Sequence, residues 1–290
     1  MRSRRSEIAA PARGGGTPRR PPDPWRDADA QANVEEMAAG LEARGRTRTQ
    51  ARLRRRFLRF VPVGSGDRVL EVGCGTGVVI RDLAALVGRR GEVVGIDPSR
   101  LLLARARRLC REAARRSRIA LRLANGADLP FAANRFDAAL AITVILHVAD
   151  PLTVVREMAR VTRPGGRVGL QDQDFGVVAL THPDRALTDR IMQGVAEHVY
   201  PEPHSGRRLP GLLRRAGLDG VRLLTDVYQD TTLEPWTKTF LERRAERALR
   251  FGIVDEPTAT RWLDGFTAVV AEGAFVMTLN YYGAVGTKPE

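Results

Sequence analysis

Apolar and polar positions along the chain fall into three regimes. Over residues 27–60, Met37, Leu41, Leu53, Phe57 and Leu58 recur at helical spacing among many charged residues, which predicts an N-terminal helical cap. Pro62 and Gly64-Ser65-Gly66 break that pattern. From Arg68 onward, short apolar runs alternate with longer amphipathic ones. Strands are predicted at Val69–Val72, Glu92–Ile96, Ile119–Leu123, Phe136–Ile142 and Arg167–Gln171, and helices at Val78–Val87, Leu101–Arg116 and Leu152–Val161. Apolar strands separated by helices of roughly 10–15 residues form parallel βαβ units whose sheet is covered on both faces. The fold class is therefore predicted to be α/β and doubly wound.

The last third changes rhythm. Helical patterns near residues 183–200 and 209–217 lead to a strand at Val221–Tyr228. Two more helical patterns, at Pro235–Arg250 and Thr258–Ala271, precede a final strand at Phe275–Ala284. Phe175, His198, Tyr200, His204, Trp236, Phe240, Trp262, Phe266, Tyr281 and Tyr282 gather here. Such residues fit a lid or pocket wall around the carboxyl edge of the sheet, and helical spacing equally fits plain core. Four segments follow: a basic tail at 1–26 predicted to be disordered, the helical cap at 27–60, a ligand-binding core at 61–175, and lid helices with completion of the sheet at 176–290.

Composition narrows the partners. No window approaches 18 uninterrupted apolar residues, so no membrane span is predicted. Arg4-Arg5 could open a twin-arginine signal, but only Ile8-Ala9-Ala10 follows before Pro11 and Gly14-Gly15-Gly16, so a cytoplasmic chain is expected. Two cysteines, Cys74 and Cys110, without a CxxC pair or a Cys/His cluster argue against a disulfide framework or a structural zinc site; no metal ligand set is assigned. The net charge of +13 would ordinarily raise nucleic acid as a partner. Yet Lys occurs only at 238 and 288, an Arg-for-Lys bias typical of a GC-rich coding sequence. The Arg residues of the helix after Asp97 (105, 107, 108, 111, 115 and 116) surround an apolar stripe of Leu102, Ala106, Leu109 and Ala113, as on a solvated face.

Candidate chemistry begins at the turn after the first strand, Glu71-Val72-Gly73-Cys74-Gly75-Thr76-Gly77. Ligands of open α/β sheets bind outside the carboxyl ends of the strands, and glycines there let the backbone approach a ligand closely. A dinucleotide fingerprint reads GxGxxG; here Val78 stands where its third glycine would fall, and no Lys follows as in a P-loop. Asp97 ends the second strand, where a carboxylate can accept both hydroxyl hydrogens of a ribose. It could instead cap the following helix. Together with the glycine turn, it points to an adenosine ligand without pyrophosphate.

The stretch RVLEVGCGTG (68–77) resembles motif I of class I S-adenosylmethionine-dependent methyltransferases, and VVGIDPS (93–99) resembles their second motif. ADLPF (127–131), FDAALAITVILHV (136–148) and EMARVTRPGGRV (157–168) resemble the later motifs of the ubiquinone/menaquinone-biosynthesis-like, small-molecule group; LPGLLRRAGLDGVRL (209–223) and YYGAVGTKP (281–289) share the family's look. The resemblance implies a Rossmann-like sheet of seven strands, mostly parallel with an antiparallel last strand. It implies S-adenosylmethionine as cofactor, with Glu71, Gly73 and Gly75 facing its methionine part, and Cys74 and Gly77 within the same turn. Asp97 would hold the ribose, with Pro98 or Ser99 flanking the adenine. Asn125 stands where the family usually has Asp and is followed by Gly126; its carbonyl can still accept from the adenine amine. Thr143 and Leu146 would line the reactive end.

Methyl transfer needs the acceptor atom held in line with the methyl group, and a base where the acceptor is a hydroxyl or an acidic carbon. His147 and Asp172, after the fourth and fifth strands, are the candidates, since a carboxylate beside an imidazole fixes its tautomer and raises its basicity. Alternatively, His147 packs under the cofactor and Asp172 caps a loop. A small-molecule acceptor is the expected partner, with a homo-oligomer left open. Against a nucleic-acid substrate, the fourth strand carries no Asn/Asp-Pro-Pro-aromatic motif and no nucleophilic Cys. A cofactor-binding protein without turnover is the third reading.

Overall fold

The computed structural model describes residues 23–25, 27–31 and 33–290. The N-terminal apolar stripe forms two helices, α1 (Val34–Arg46) and α2 (Arg48–Phe60). They break at Thr47, whose hydroxyl accepts the Gln50 N–H and so caps α2. The predicted disordered tail lies outside the described residues up to residue 22. Its end is a correction, because Trp25 packs against a small cluster of Ala28, Met37, Ala38 and Leu102, and Asp23 is buried. A single polar residue buying its burial through one strong partner leaves no periodic signal.

The core then runs β1 (Arg68–Val72), α3 (Val78–Val87), β2 (Glu92–Asp97), α4 (Arg100–Leu109), β3 (Arg118–Leu123), β4 (Phe136–Ile142), α5 (Pro151–Val161) and β5 (Thr162–Leu180). It continues with α6 (Arg185–Val199), α7 (Ser205–Arg215), β6 (Asp219–Asp230), α8 (Pro235–Arg250), α9 (Glu256–Ala271) and β7 (Met277–Thr287). The seven strands form one sheet in the order β3-β2-β1-β4-β5-β7-β6. β1 to β5 pair in parallel, with Val69 opposite both Val93 and Ala138, and β7 runs antiparallel to both β5 and β6. This is the mostly parallel, doubly wound sheet with an antiparallel last strand.

Strand alternation divides the core between two faces. Leu70, Val72, Val94, Ile96, Ala139 and Leu170 pack with α5 and α7. Val69, Val93, Ala138 and Leu140 pack with α2 and α3. A third cluster joins α6, α8 and α9 around Ile191, Ala245, Trp262 and Phe266, above the carboxyl ends of the strands.

Three element boundaries depart from the sequence reading. α4 stops at Leu109 rather than Arg116, and a short 3-10 turn, Ala113–Arg115, follows. The Arg-rich tail of that pattern had no apolar stripe left to bury. β5 runs to Leu180, well past Gln171, because β7 pairs with it up to Leu180↔Met277 across an irregularity between Gln173 and Val178. α7 begins at Ser205, four residues ahead of Leu209, and contains Pro210. Cys74 and Cys110 are both free and buried.

The α6–α8–α9 cluster centres on Trp262, which is fully buried and donates its indole N–H to Thr188 at 3.0 Å. Trp262→Ala is expected to cost about 3–5 kcal/mol of stability, measured by urea denaturation. A loss below about 1 kcal/mol would mean that these helices are not part of the cooperative unit.

Candidate active site

The carboxyl ends of β1, β2 and β4 meet at the glycine turn. Gly73, Gly75 and Gly77 all have positive φ, at +71°, +51° and +80°. At Gly73 the constraint is also steric, since a Cβ would come within 2.5 Å of Val144 Cγ2. Gly73 and Gly75 line a cavity of about 540 Å³, within the usual size for small-molecule sites. Gly77 lies outside its lining: a Cβ there would meet Cys110 Sγ at 2.7 Å, and the residue starts α3. Cys74 does line the cavity. Burial, with the carboxylates of Glu71 and Asp97, pushes its thiol well above the ordinary range, which suits a space-filling role.

Two carboxyl groups face this turn from β1 and β2. Asp97 Oδ2 accepts the Gly75 N–H at 2.8 Å and Oδ1 accepts the Ser99 N–H at 2.9 Å. Asp97 does not cap α4, because Ser99 does, its hydroxyl accepting the Leu102 N–H at 3.0 Å. Each carboxylate oxygen keeps a second lone pair, so Asp97 retains capacity for a ligand. Glu71 Oε2 is buried with no hydrogen-bond partner among the described residues. Burial and then the neighbouring Asp97 raise the Glu71 acid well above the usual carboxylate range, while burial also raises that of Asp97. A buried polar atom left without a partner is one that a ligand or water can satisfy.

Pro98, Asn125 and Gly126 line one side of the cavity. Asn125 is exposed, and its side-chain carbonyl already accepts the Ala127 N–H at 2.9 Å, leaving one lone pair for an adenine amine. Gly126 is held close, since a Cβ would lie 2.8 Å from Val72 Cγ1. Ser99 sits outside the lining, bonded to Asp29 and α4. Its polar atoms serve the helix rather than the cavity.

The opposite end holds Thr143, Leu146 and His147. Thr143 has φ +55°, its N–H donates to Gln171 O at 2.7 Å, and its hydroxyl accepts from Arg44 at 3.1 Å. The imidazole Nδ1 of His147 lies 2.5 Å from Asp23 Oδ2, and its ring stands edge-on to Tyr200 at 5.5 Å. Because a carboxylate can only accept, Nδ1 carries the hydrogen in this pair, and in the neutral imidazole Nε2 is the acceptor.

Asp172 is a correction to the sequence reading. Side chains alternate along β5, so Gln171 and Gln173 face the cavity and Asp172 faces away from it. Asp172 is fully buried, with Oδ2 accepting the Leu146 N–H at 2.8 Å and Oδ1 the Gln173 N–H at 3.0 Å. It holds the 3-10 turn Ile145–His147 in place, and the carboxylate bonded to His147 is Asp23.

Several lining residues come from outside the motifs. Tyr281 of β7 accepts amide N–H groups from Gln173 at 2.5 Å and from Gln50 of α2 at 2.9 Å, beside Arg44 of α1. Gln50 was findable, since it lies three residues before Leu53 on the buried stripe of α2, where a polar residue is out of place. Asp23 and Arg44 carried no comparable signal, whereas Tyr281 was among the aromatic residues expected of a pocket wall.

Residues 70–170 match the family described as methyltransferase domain. Over that stretch the chain carries a methyltransferase domain. It is 36% identical to the methyltransferase GfsG of Streptomyces halstedii over 177 residues, covering 58% of each chain. It is also 39% identical to a 2-phytyl-1,4-naphtoquinone methyltransferase of Synechococcus elongatus over 107 residues, 37% of this chain and 46% of that one. The first four curated relatives are matched over 54% to 64% of their own length. Among solved structures, phosphoethanolamine N-methyltransferase 2 of Haemonchus contortus superposes with a TM-score of 0.58 at 18% identity, covering 92% of this chain and 60% of that one. Across the described residues, no helix of this methyltransferase domain is long and apolar enough to cross a membrane.

Burial raises the Asp172 carboxyl from an ordinary 3.8 to about 6. The folded chain then holds that proton more tightly than the unfolded one. The stabilisation this provides is complete below about pH 4 and lost as pH rises through about 6. At about 1.4 kcal/mol per pH unit, roughly 3 kcal/mol is involved. Urea denaturation should therefore show the stability of Asp172→Asn relative to the unmodified protein improving by up to about that amount between pH 4 and pH 7. A difference independent of pH would show that the carboxyl titrates normally.

Proposed function

We propose that this chain transfers the methyl group of S-adenosylmethionine to a small organic acceptor of the natural-product or quinone-like kind. The observation that carries the reading is the composition of one continuous cavity. One end offers the orphaned Glu71 Oε2, the Asp97 carboxylate and the Gly73–Gly75 backbone; the other offers His147, Gln173, Tyr281 and Arg44. The naphtoquinone-methylating relative supports an acceptor of this class.

The donor set suits the cofactor. Glu71 Oε2 would accept from the methionine ammonium group, and the remaining lone pairs of Asp97 would accept from the ribose hydroxyls. Pro98, Gly126 and the free lone pair of Asn125 would border the adenine, with Cys74 filling space beside it. When bound, the cofactor supplies an activated sulfonium methyl. The chain's own task is alignment and exclusion of water. Thr143 and Leu146 border the reactive end, and the α1–α2 cap closes it from above. His147 Nε2 would take the proton from the acceptor, with Asp23 holding the Nδ1 tautomer. Asp172 acts one step behind, as the positioning residue for the turn that carries His147. Whether the acceptor atom is O, N or C depends on the acceptor itself.

Asp97→Ala is expected to weaken S-adenosylhomocysteine binding at least about tenfold by calorimetry, because it removes charge-assisted hydrogen bonds. His147→Ala should lower turnover about 10²-fold or more while leaving that affinity unchanged; unaltered turnover would remove the imidazole from the chemistry. Labelled S-adenosylmethionine incubated with phenolic and quinone-like acceptors, and separately with RNA, tests the whole reading. Label entering RNA alone would overturn it.

A further inference from the structure

Arg244 of α8 is the largest unexplained charge in the fold. It is 1% exposed, and neither Nη1 nor Nη2 has a hydrogen-bond partner among the described residues. Its guanidinium carbon lies 4.6 Å from the ring centre of Phe175, 4.8 Å from that of Phe240 and 5.7 Å from that of Tyr200. Contacts with ring faces attract a cation, but they leave its terminal N–H groups unsatisfied. A buried cation without an anionic partner is strongly disfavoured. Burial accordingly pulls its pKa down, to about 10.

Its position connects this charge to the site. Tyr200 lines the cavity, stands edge-on to His147, and stacks on Phe175 at 4.8 Å with the ring planes 9° apart. The guanidinium thus lies one aromatic layer behind the cavity wall, on the side of the base. Two unpaired terminal nitrogens on a planar group match the two oxygens of a carboxylate.

We propose that Arg244 is the subsite for a carboxylate carried by the methyl acceptor, with Phe175, Tyr200 and Phe240 as the aromatic walls around it. The proposal rests on the small-molecule methyl-transfer reading and adds the chemical class of the acceptor: an acid with a flat or apolar body. The Tyr200 ring separates the subsite from the cavity, so it would have to turn aside for the carboxylate to enter.

The test uses the full chain with S-adenosylhomocysteine present, and measures thermal shifts with benzoate, its neutral counterpart benzamide, and inorganic phosphate. Benzoate should stabilise the complex, with benzamide and phosphate ineffective. Arg244→Met keeps an unbranched apolar stem against Phe175 and Phe240. It should raise the apparent Kd for benzoate at least about tenfold, leave the S-adenosylhomocysteine shift intact, and make the ligand-free protein at least as stable as before. Equal effects of benzoate and benzamide would overturn the proposal, as would phosphate reproducing the benzoate shift or an undiminished benzoate shift in Arg244→Met. A strongly destabilised ligand-free Arg244→Met would overturn it too, because the guanidinium would then have a partner within the protein. Failure of the unmodified protein to bind S-adenosylhomocysteine would count instead against the methyl-transfer reading, so the two failures are distinguishable.

Discussion

The hydrogen bond from the Gly75 N–H to Asp97 Oδ2, 2.8 Å long, joins the turn after β1 to the end of β2. The rest of the site depends on it. The turn is backbone with three positive-φ glycines, which fix no shape by themselves. A buried carboxylate from the neighbouring strand supplies that hold, and its other oxygen fixes the Ser99 N–H at the start of the next loop. Burying a carboxylate is unfavourable without donors. Two backbone donors offset that cost and set the distance between the two turns, leaving the remaining lone pairs directed by the scaffold.

A second set of contacts closes the cavity from the N-terminal side. Glu42 of α1 accepts the Thr76 hydroxyl at 2.6 Å and pairs with Arg81 of α3 at 2.9 Å. Leu41 sits 3.2 Å from where a Gly75 Cβ would be. The cap therefore rests on the glycine turn itself, and Asp23 reaches His147 from further along the same covering segment. These contacts link residues tens of positions apart, so closure of the site depends on tertiary packing more than on any local motif.

That difference decides how much was legible in the sequence. The βαβ core was readable because periodicity and breakers are local: α3 falls on Val78–Val87 and β4 on Phe136–Ile142, where the apolar pattern placed them. The glycine turn and Asp97 were readable because strand ends in such sheets converge. The partner of His147 was not. Asp172 is nearer in sequence, yet strand alternation turns it away from the cavity, while Asp23 lies 124 residues from the imidazole it bonds. A periodicity rule applied to Gln171-Asp172-Gln173 would have separated the two glutamines from the aspartate; the expected end of the strand at Gln171 hid that step. The Tyr281, Gln50 and Gln173 cluster draws on α2, β5 and β7, and only the closed sheet brings those elements together.

The two ends of the cavity are consequently built by different means. The end at Glu71, Gly73 and Asp97 consists of backbone and short carboxylates on adjacent parallel strands, where a one-residue shift would break the register Val72↔Ile96. The other end consists of long side chains contributed by the cap, the lid and the antiparallel last strand. On the proposed reading, the first end would hold the methyl donor and the second would meet the acceptor. Specificity would then rest on groups such as Arg44, Gln173 and Tyr281, whose hydrogen bonds can rearrange to favour an acceptor that completes them over one that merely fills the space.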